Sequence, residues 1–507
     1  MTNQYDVVII GAGPVGLLLA CELALGKTSV IVLECEASPV SPWKEEPTGM
    51  RGLHLPSSEI LWRRGLLEKI WTLEGRPHGP TKTPGFQFAG HFAGIPLNLS
   101  QLDLDRWKYR LRGPSLMGGP ITIALIERVL AERAESLGVE IHRGCGFERI
   151  VQQSADGVTI EAGKDTQTFH AKWLIGCDGG RSQVRKAAEI DFPGTDATLT
   201  GYVIHCDLDH PERLSPGFQP TKQGMYIFRK PGALYLMDFD GGAGQMREPS
   251  QQRLQEVMER VVGRTDIKLE KVHLASAFTD RGKQATTYRK GRVLLAGDAA
   301  HIHPPLGAQG MNAGLGDAMN LGWKLAATVR GEEKGVRAFT VLDTYTSERH
   351  PVGQWVLEWN YAQVAALKPD ATGYAVQKLM RDLIATDDGT NYFIDNVWGL
   401  SQRYGDGEGV HPVVGRSAPD FTFKDGSRLG PKLEGGRGLF IDFEDVDLEK
   451  VVKGFERVDY LGQNVEDRRG IRALLIRPDG FVAWAVEEGD EPDAEGLETE
   501  LKKWFSY

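Results

Sequence analysis

Three stretches of the chain hold residues whose types and spacing could do chemistry. The first is Gly11-Ala-Gly13-Pro14-Val-Gly16, answered by Glu34 at the end of the next apolar run. In such a pattern the first glycine permits a tight turn, the second lets backbone approach a pyrophosphate, and the third lets a helix pack on a strand. The helix start then turns its positive end to the phosphates, and Glu34 is placed to accept from a ribose hydroxyl. The pattern predicts dinucleotide binding. The second stretch is Leu174-Ile-Gly-Cys-Asp178-Gly-Gly-Arg-Ser182 with Arg185 beyond it. A carboxylate there could accept from ribose hydroxyls and orient Arg185; the plainer alternative is an acidic turn with a helix cap at Ser182. The third is Gly297-Asp298-Ala-Ala-His301, then Pro304-Pro305 and a glycine-rich run through Gly310, Met311, Asn312 and Gly314. Asp298 could accept from a sugar-like chain hydroxyl, and the glycine run could aim unpaired N–H groups at an electron-rich acceptor. His301-x-His303 has no carboxylate or cysteine support at metal spacing, so no metal site is expected.

Strands and helices must deliver these residues. Residues 5–10 lead into the continuous β-branched run Val7–Ile10, the mark of a parallel strand buried on both faces. A helix over 15–24 and a strand over 29–33 complete a βαβ unit. Residues 121–137 have helical periodicity, and the apolar run 173–175 leads into the second motif. From about 199 to 280, short aromatic and β-branched stretches alternate with Pro/Gly/Asp turns, which predicts an antiparallel sheet forming a separate layer. A buried strand over 292–296 carries the third motif, and helices are expected over 315–329 and 336–350. Beyond a linker-like stretch over 404–420, a small α/β tail is expected.

Composition narrows the function classes. With 507 residues the chain has room for roughly three domains. Lys plus Arg total 59 against 69 Asp plus Glu, a net charge of −10 that argues against a nucleic-acid footprint or a basic membrane-surface protein. The apolar stretch 7–25 is long enough to span a bilayer, yet glycines, Pro14 and Glu22 interrupt it; a buried strand, turn and helix explain it better. A soluble, cytoplasmic protein without membrane partners is expected. Cys21, Cys35, Cys145, Cys177 and Cys206 are scattered and form no C-x-x-C pair, so they read as reduced thiols. A second G-x-G-x-x-G after a strand is absent, so any second dinucleotide is not held by another copy of this unit.

Taken together, G-A-G-P-V-G, C-D-G-G-R-S-x-V-R and G-D-A-A-H-x-x-P-P resemble the FAD-dependent aromatic hydroxylases. These are the single-component flavoprotein monooxygenases typified by p-hydroxybenzoate hydroxylase. Y-x-x-E-R-x-P (Tyr345, Glu348, Arg349, Pro351) is a further family-like element. The tail, with Gly415–Asp420 as G-R-S-A-P-D and Arg477–Trp484 as R-P-D-G-F-V-A-W, is similar to the thioredoxin-like C-terminal domain of phenol and polyketide-tailoring hydroxylases. It has no cysteine, so thiol–disulfide chemistry is excluded there and packing or homodimer contacts remain.

The resemblance implies an α/β fold of three parts. A Rossmann-like FAD-binding domain with a parallel sheet would take residues 1–75, 103–190 and 281–360. An antiparallel-sheet substrate domain would take 76–102 and 191–280. A helical connection (361–405) would lead to the thioredoxin-like α/β C-terminal domain (406–507). Gly11, Gly13, Pro14, Gly16 and Glu34 would hold the ADP half of tightly but non-covalently bound FAD, with Arg51 near its pyrophosphate and ribityl region. Asp178 and Arg185 would serve FAD and the transient NADPH or NADH, and Asp298 the ribityl chain. Pro304 and Pro305 would line the flavin on the substrate face, and Gly310, Met311 and Asn312 would hydrogen-bond its pyrimidine. The implied chemistry is reduction by NAD(P)H, capture of O2 as a C4a-hydroperoxyflavin and OH transfer to a phenolic, polycyclic or polyketide substrate. Epoxidation, Baeyer–Villiger insertion or oxidative decarboxylation on the same flavin is the alternative within enzymes; a flavin-fold protein that carries a ligand without turnover is the alternative outside them. Ile123, Pro56 and Ala308 depart from the family pattern. No substrate base is evident: Tyr226, Tyr235, His91 and His205 could line a pocket, and each reads as packing.

Overall fold

The computed structural model describes residues 4–75, 85–116, 118–230, 232–243, 249–333, 339–405, 407–444 and 448–506. The first residues of the expected substrate domain (76–84) and the start of the helix expected over 336–350 lie outside them. The opening run is the strand Gln4–Ile10, and its neighbours explain why its second half, Val7–Ile10, is apolar throughout. It lies between Val30–Glu34 and Gln167–Gly176 in a sheet whose order continues to Glu140–Arg143 on one side and Val293–Leu295 then Arg289–Lys290 on the other. Val7 to Ile10 are all buried, as in a parallel strand covered on both faces. The registers Ile10↔Leu33, Ile10↔Gly176 and Gly176↔Leu295 bring the parallel strands to one common edge. Each chemistry-bearing turn leaves the sheet there, at the strands' carboxyl ends, which is where open α/β sheets bind ligands.

A second sheet is wholly antiparallel, in the order Gly217–Pro220, Gly224–Arg229, Ala233–Asp238, Thr200–Leu208, Leu269–Thr279. Its period-two alternation divides its side chains between two different environments. Tyr202, Ile204, Tyr226, Phe228, Leu234 and Leu236 pack with Leu254, Val257 and Met258 of the helix Gln251–Val262. On the other face, Met225 and Met237 pack with the hairpin Phe88–Phe92/Ile95–Asn98 and with Trp359 and Phe393.

Two helices differ from the sequence reading. The helix expected from 315 begins at Gln309 and runs to Glu333. Its early glycines are poor helix formers, but close packing needs them: a Cβ at Gly314 would sit 3.2 Å from Gly297 Cα, and one at Gly316 2.8 Å from the Arg349 guanidinium. The helix expected to stop before Pro351 runs through it, from Phe339 to Leu367. Buried Tyr345 and Arg349 before the proline, and Val356 and Trp359 after it, hold the two halves against the protein.

The tail is a four-stranded sheet, Val458–Gly462, Gly438–Asp442, Ile471–Ile476, Val482–Glu487, backed by the helix Ala494–Phe505. It is joined to the rest of the protein along a buried, charged seam. Arg64 forms a bidentate pair with Glu22 at 2.7 Å and also donates to the carbonyls of Leu433 and Pro478 in the tail. Arg477 of the tail donates to both oxygens of Glu348, at 2.7 and 2.9 Å, and Trp323 Nε1 donates to Asp479 at 3.1 Å. The family-like Y-x-x-E-R-x-P and R-P-D-G elements thus meet through Glu348 and Arg477.

Candidate active site

Gly11 has φ +109°, and a Cβ there would lie 2.4 Å from the carbonyl oxygen of Cys177; a Cβ at Gly16 would lie 2.0 Å from the Gly11 carbonyl. Both glycines are demanded by the fold itself. Gly13 is different: a Cβ there would meet nothing within 4 Å, and the same holds at Gly179. These two bare positions leave backbone open to an approaching group. Pro14 opens the helix Pro14–Leu25, where its missing N–H costs nothing.

Glu34 folds back over this turn. Its Oε2 accepts from the Ala12 N–H at 2.7 Å and its Oε1 from the Glu36 N–H at 2.9 Å. Burial pulls this carboxyl's pKa up, but the two backbone donors and the Cys35 thiol outweigh it and hold it below the ordinary range. It stays an acceptor beside the glycine turn.

Asp178 Oδ2 accepts from the N–H groups of Gln183 and Val184, at 2.7 and 3.1 Å, while its buried Oδ1 has no protein partner. Ser182 Oγ accepts from the Arg185 N–H at 2.9 Å, so the expected cap is present and the carboxylate still has acceptor capacity. The Arg185 guanidinium donates to the carbonyls of Ala299 (2.8 Å) and Gly180 (3.1 Å) and stacks over Phe192. It ties the Asp178 turn to the Asp298 turn.

Asp298 is exposed although Val293 to Gly297 before it and Ala299 to His301 after it are all buried. Beyond it Pro304 is buried, Pro305 is exposed, and Leu306–Ala308 form a tight turn leading into the helix at Gln309. Gly307 and Ala308 have φ +77° and +57°, so Ala308 holds a left-handed conformation better suited to glycine. Gly310 lies beside Asp298 and His303: its Cβ would be 3.8 Å from Asp298 Oδ1 and 3.3 Å from His303 Nε2. The Asn312 side chain is engaged within the protein. Its Oδ1 accepts from the His54 N–H at 2.9 Å, and its Nδ2 donates to the carbonyls of Gly52 and Ala308, both at 2.8 Å. That leaves backbone N–H groups around Gly310 and Met311, in the helix's first turn, for a ligand.

Arg51 donates to the carbonyls of Thr48 and Met50, at 3.0 and 2.8 Å. Burial lowers its pKa, opposed by the Tyr235 phenol and the Asp298 carboxylate. Tyr235 shares the half-open sheet face with Val203 and Ile227, its cross-strand partners. Gly201 is bare because the Phe278 ring lies over it, 2.1 Å from where a Cβ would be. Tyr226 points to the opposite, helix-covered face, and His205 lies against His273, centroids 4.8 Å apart. His91 is packed against Phe218, centroids 4.1 Å apart. Sequence reasoning missed Asp317, a buried carboxylate behind the Asp298 turn whose one signal was an acid inside an apolar helix.

The bare glycines, the unpartnered Asp178 oxygen, the exposed Asp298 and the helix start at Gln309 suit a long, hydroxyl-rich anionic ligand such as FAD. Family models agree: residues 4–360 match the FAD binding domain, and residues 411–507 match the aromatic-ring hydroxylase C-terminal domain. The chain belongs to the FAD-dependent aromatic-ring monooxygenases. It is 48% identical over 503 residues to a protein of Claviceps purpurea named as a monooxygenase, covering 99% of this chain and 97% of that one. It is 36% identical to the rifampicin monooxygenase of Streptomyces venezuelae, covering 99% of both chains. The solved structure of the anhydrotetracycline hydroxylase OxyS from Streptomyces rimosus is similar with a TM-score of 0.83 and 32% identity, covering 99% of both chains. The cofactor is FAD, served in this family by NAD(P)H and O2, and the substrate is a small aromatic molecule. Among the described residues no helix is long and apolar enough to cross a membrane, and no cluster of three metal-ligating side chains occurs.

Proposed function

We propose that this monooxygenase hydroxylates a phenolic, polycyclic molecule of polyketide type, held between the turns at the parallel sheet's edge and the open face of the antiparallel sheet. The observation that carries this is the wall itself. Val203, Ile227, Tyr235 and Phe278 stay half-exposed on one sheet face while the opposite face is closed by a helix. A broad, mostly apolar wall with one phenol and a nearby guanidinium suits a flat ring system bearing few polar groups. The rifampicin and anhydrotetracycline relatives point the same way.

This reading assigns residues 1–75, 103–190 and 281–360 to the FAD-binding domain and 76–102 and 191–280 to the substrate layer. Gly11, Gly13 and Glu34 hold the ADP half of FAD, Asp178 accepts from a hydroxyl of the cofactor, and Asp298 accepts from the ribityl chain. Pro304 and Pro305 separate the flavin ring from bulk water, and the backbone around Gly310 and Met311 donates to its electron-rich edge. Arg51 and Tyr235 orient the substrate's oxygen. When bound, FAD supplies the two-electron reduction and oxygen activation; the chain's own residues bind, orient and exclude water.

The test is turnover of polycyclic phenols and naphthols with NADPH and isotopically labelled O2, read by mass spectrometry. One labelled oxygen in a ring-hydroxylated product is expected. A labelled lactone, an epoxide, or peroxide release with every phenol would replace the proposed reaction.

A further inference from the structure

Asp317 lies on the helix Gln309–Glu333 with no exposure to solvent, directly behind the turn that carries Asp298. Its Oδ2 accepts from the Gly297 N–H at 3.0 Å and from His301 Nε2 at 2.8 Å. One carboxylate oxygen therefore grips the turn on both sides of Asp298. Its Oδ1 accepts from Arg349 Nε at 2.7 Å, and Arg349 also donates to the Ala313 carbonyl at 2.8 Å and the Tyr404 phenol oxygen at 3.1 Å. The Tyr404 ring packs on Phe481 of the C-terminal domain with centroids 4.2 Å apart. The strand leading into the turn is pinned separately, by Tyr345 donating its hydroxyl to the Leu295 carbonyl at 2.8 Å.

Burial pulls the Asp317 carboxyl's pKa up, but Arg349 and His301 outweigh it and keep it below the ordinary range, so the acceptor is ionised. A buried ion pair used only as glue can be replaced by well-packed apolar side chains at little cost. Apolar side chains cannot accept the Gly297 N–H and hold the His301 ring. Nor does glue need glycine at both 314 and 316, which bring this helix against Gly297 and make room for Arg349.

We propose that Asp317 is a positioning residue for the flavin site: it fixes the Asp298 turn, and Arg349 and Tyr404 tie that turn to the seating of the C-terminal domain. This rests on the reading of Asp298 as a cofactor contact. The domain without cysteine thereby has a role at the active site that needs no redox chemistry.

The experiment compares wild type, Asp317→Asn and Tyr404→Phe. Each apo-protein is titrated with FAD by flavin fluorescence, and each loaded protein is read for its visible flavin band and midpoint potential, beside the thermal midpoint of the apo-protein. Asp317→Asn turns an amide donor toward groups that are themselves donors. It is expected to weaken FAD binding by about tenfold or more and to shift the flavin band. Tyr404→Phe keeps the ring on Phe481 and loses the phenol oxygen; its expected effect is roughly threefold in the same direction, with little change in thermal midpoint. Should Asp317→Asn fail to fold, Tyr404→Phe decides. If folded variants bind FAD like wild type with unchanged band and potential, while only the thermal midpoint falls, the role is structural and the proposal is overturned. A wild-type protein that does not bind FAD would instead overturn the reading on which it rests.

Discussion

Along the seam with the C-terminal domain, Glu22, Glu59, Glu348, Asp420 and Asp479 each meet an arginine within hydrogen-bonding distance. In the cleft, Asp178 keeps one buried oxygen unpartnered and Asp298 faces solvent from a turn that is otherwise buried. Both regions are rich in charge, and both are assembled from segments distant in the sequence. The seam spends its charges on itself, so it has little left for a ligand. The cleft keeps acceptors and bare backbone in reserve at the strands' carboxyl ends. Saturation, rather than the density of polar groups, separates adhesive from site.

The largest effect should come from breaking the seam. Arg477→Met leaves buried Asp479 without its cation and Glu348 with Lys324 as its remaining cation, and is expected to cost about 3–5 kcal/mol of stability. Thermal or denaturant unfolding measures it, while folded protein should lose no more than about tenfold in FAD affinity, the part of the seating that Tyr404 and Arg349 pass on to the cleft. Strong loss of FAD affinity with little loss of stability would erase the distinction between the two regions. Gly13→Ala should do the opposite. Its Cβ has open space in the protein, so the unfolding curve should barely move, while blocked backbone approach weakens FAD by roughly 100-fold, or about 3 kcal/mol. Gly11→Ala is the control: it should damage folding itself, because its Cβ would strike the Cys177 carbonyl.

The hairpin beside the cleft sharpens the comparison through pH. His91 Nδ1 accepts from the Gly94 N–H at 3.3 Å, and burial lowers the ring's pKa to about 4. Burial likewise lowers that of His54 to about 4. Between pH 6.5 and 4 the unfolded chain takes protons that the folded one refuses. Their stabilising contribution is therefore complete above pH 6.5 and falls as pH drops toward 4. Denaturant midpoints across that range should decline, and His91→Asn, whose amide oxygen can replace Nδ1, should make that decline measurably shallower, with the rest left to His54, His303 and His350, whose pKa values burial also lowers. An undiminished decline in the variant would show His91 already protonated in the fold. The smallest expected effect is Ala308→Gly. Relief of the left-handed strain, offset by greater freedom of the unfolded chain, leaves a gain of about 0.5 kcal/mol in denaturant unfolding.

Much of this was legible in the sequence where partners lie close along the chain. Gly11 to Gly16, Asp178 and Asp298 each follow an apolar strand, and the common edge of a parallel sheet does the rest. The family resemblance identified the cofactor and the tail. What periodicity could not reveal were pairings across long sequence separations. Asp317 looked like an acid in an apolar helix until Gly297, His301 and Arg349 closed around it. The helix start at Gln309 and the passage through Pro351 were hidden for the same reason: tertiary packing there overrides local propensity. The bonds that the Asn312 amide makes with His54, Gly52 and Ala308 were hidden in the same way.

The most direct test of the central claim is the rate at which anaerobic NADPH bleaches the visible absorbance of the FAD-loaded protein, with and without polycyclic phenols. A phenol bound beside the flavin should accelerate reduction, and the phenol that accelerates it most should be the one hydroxylated when O2 is admitted. Reduction at one rate, whatever phenol is present, would contradict the account of this cleft as a shared site for FAD and an aromatic substrate.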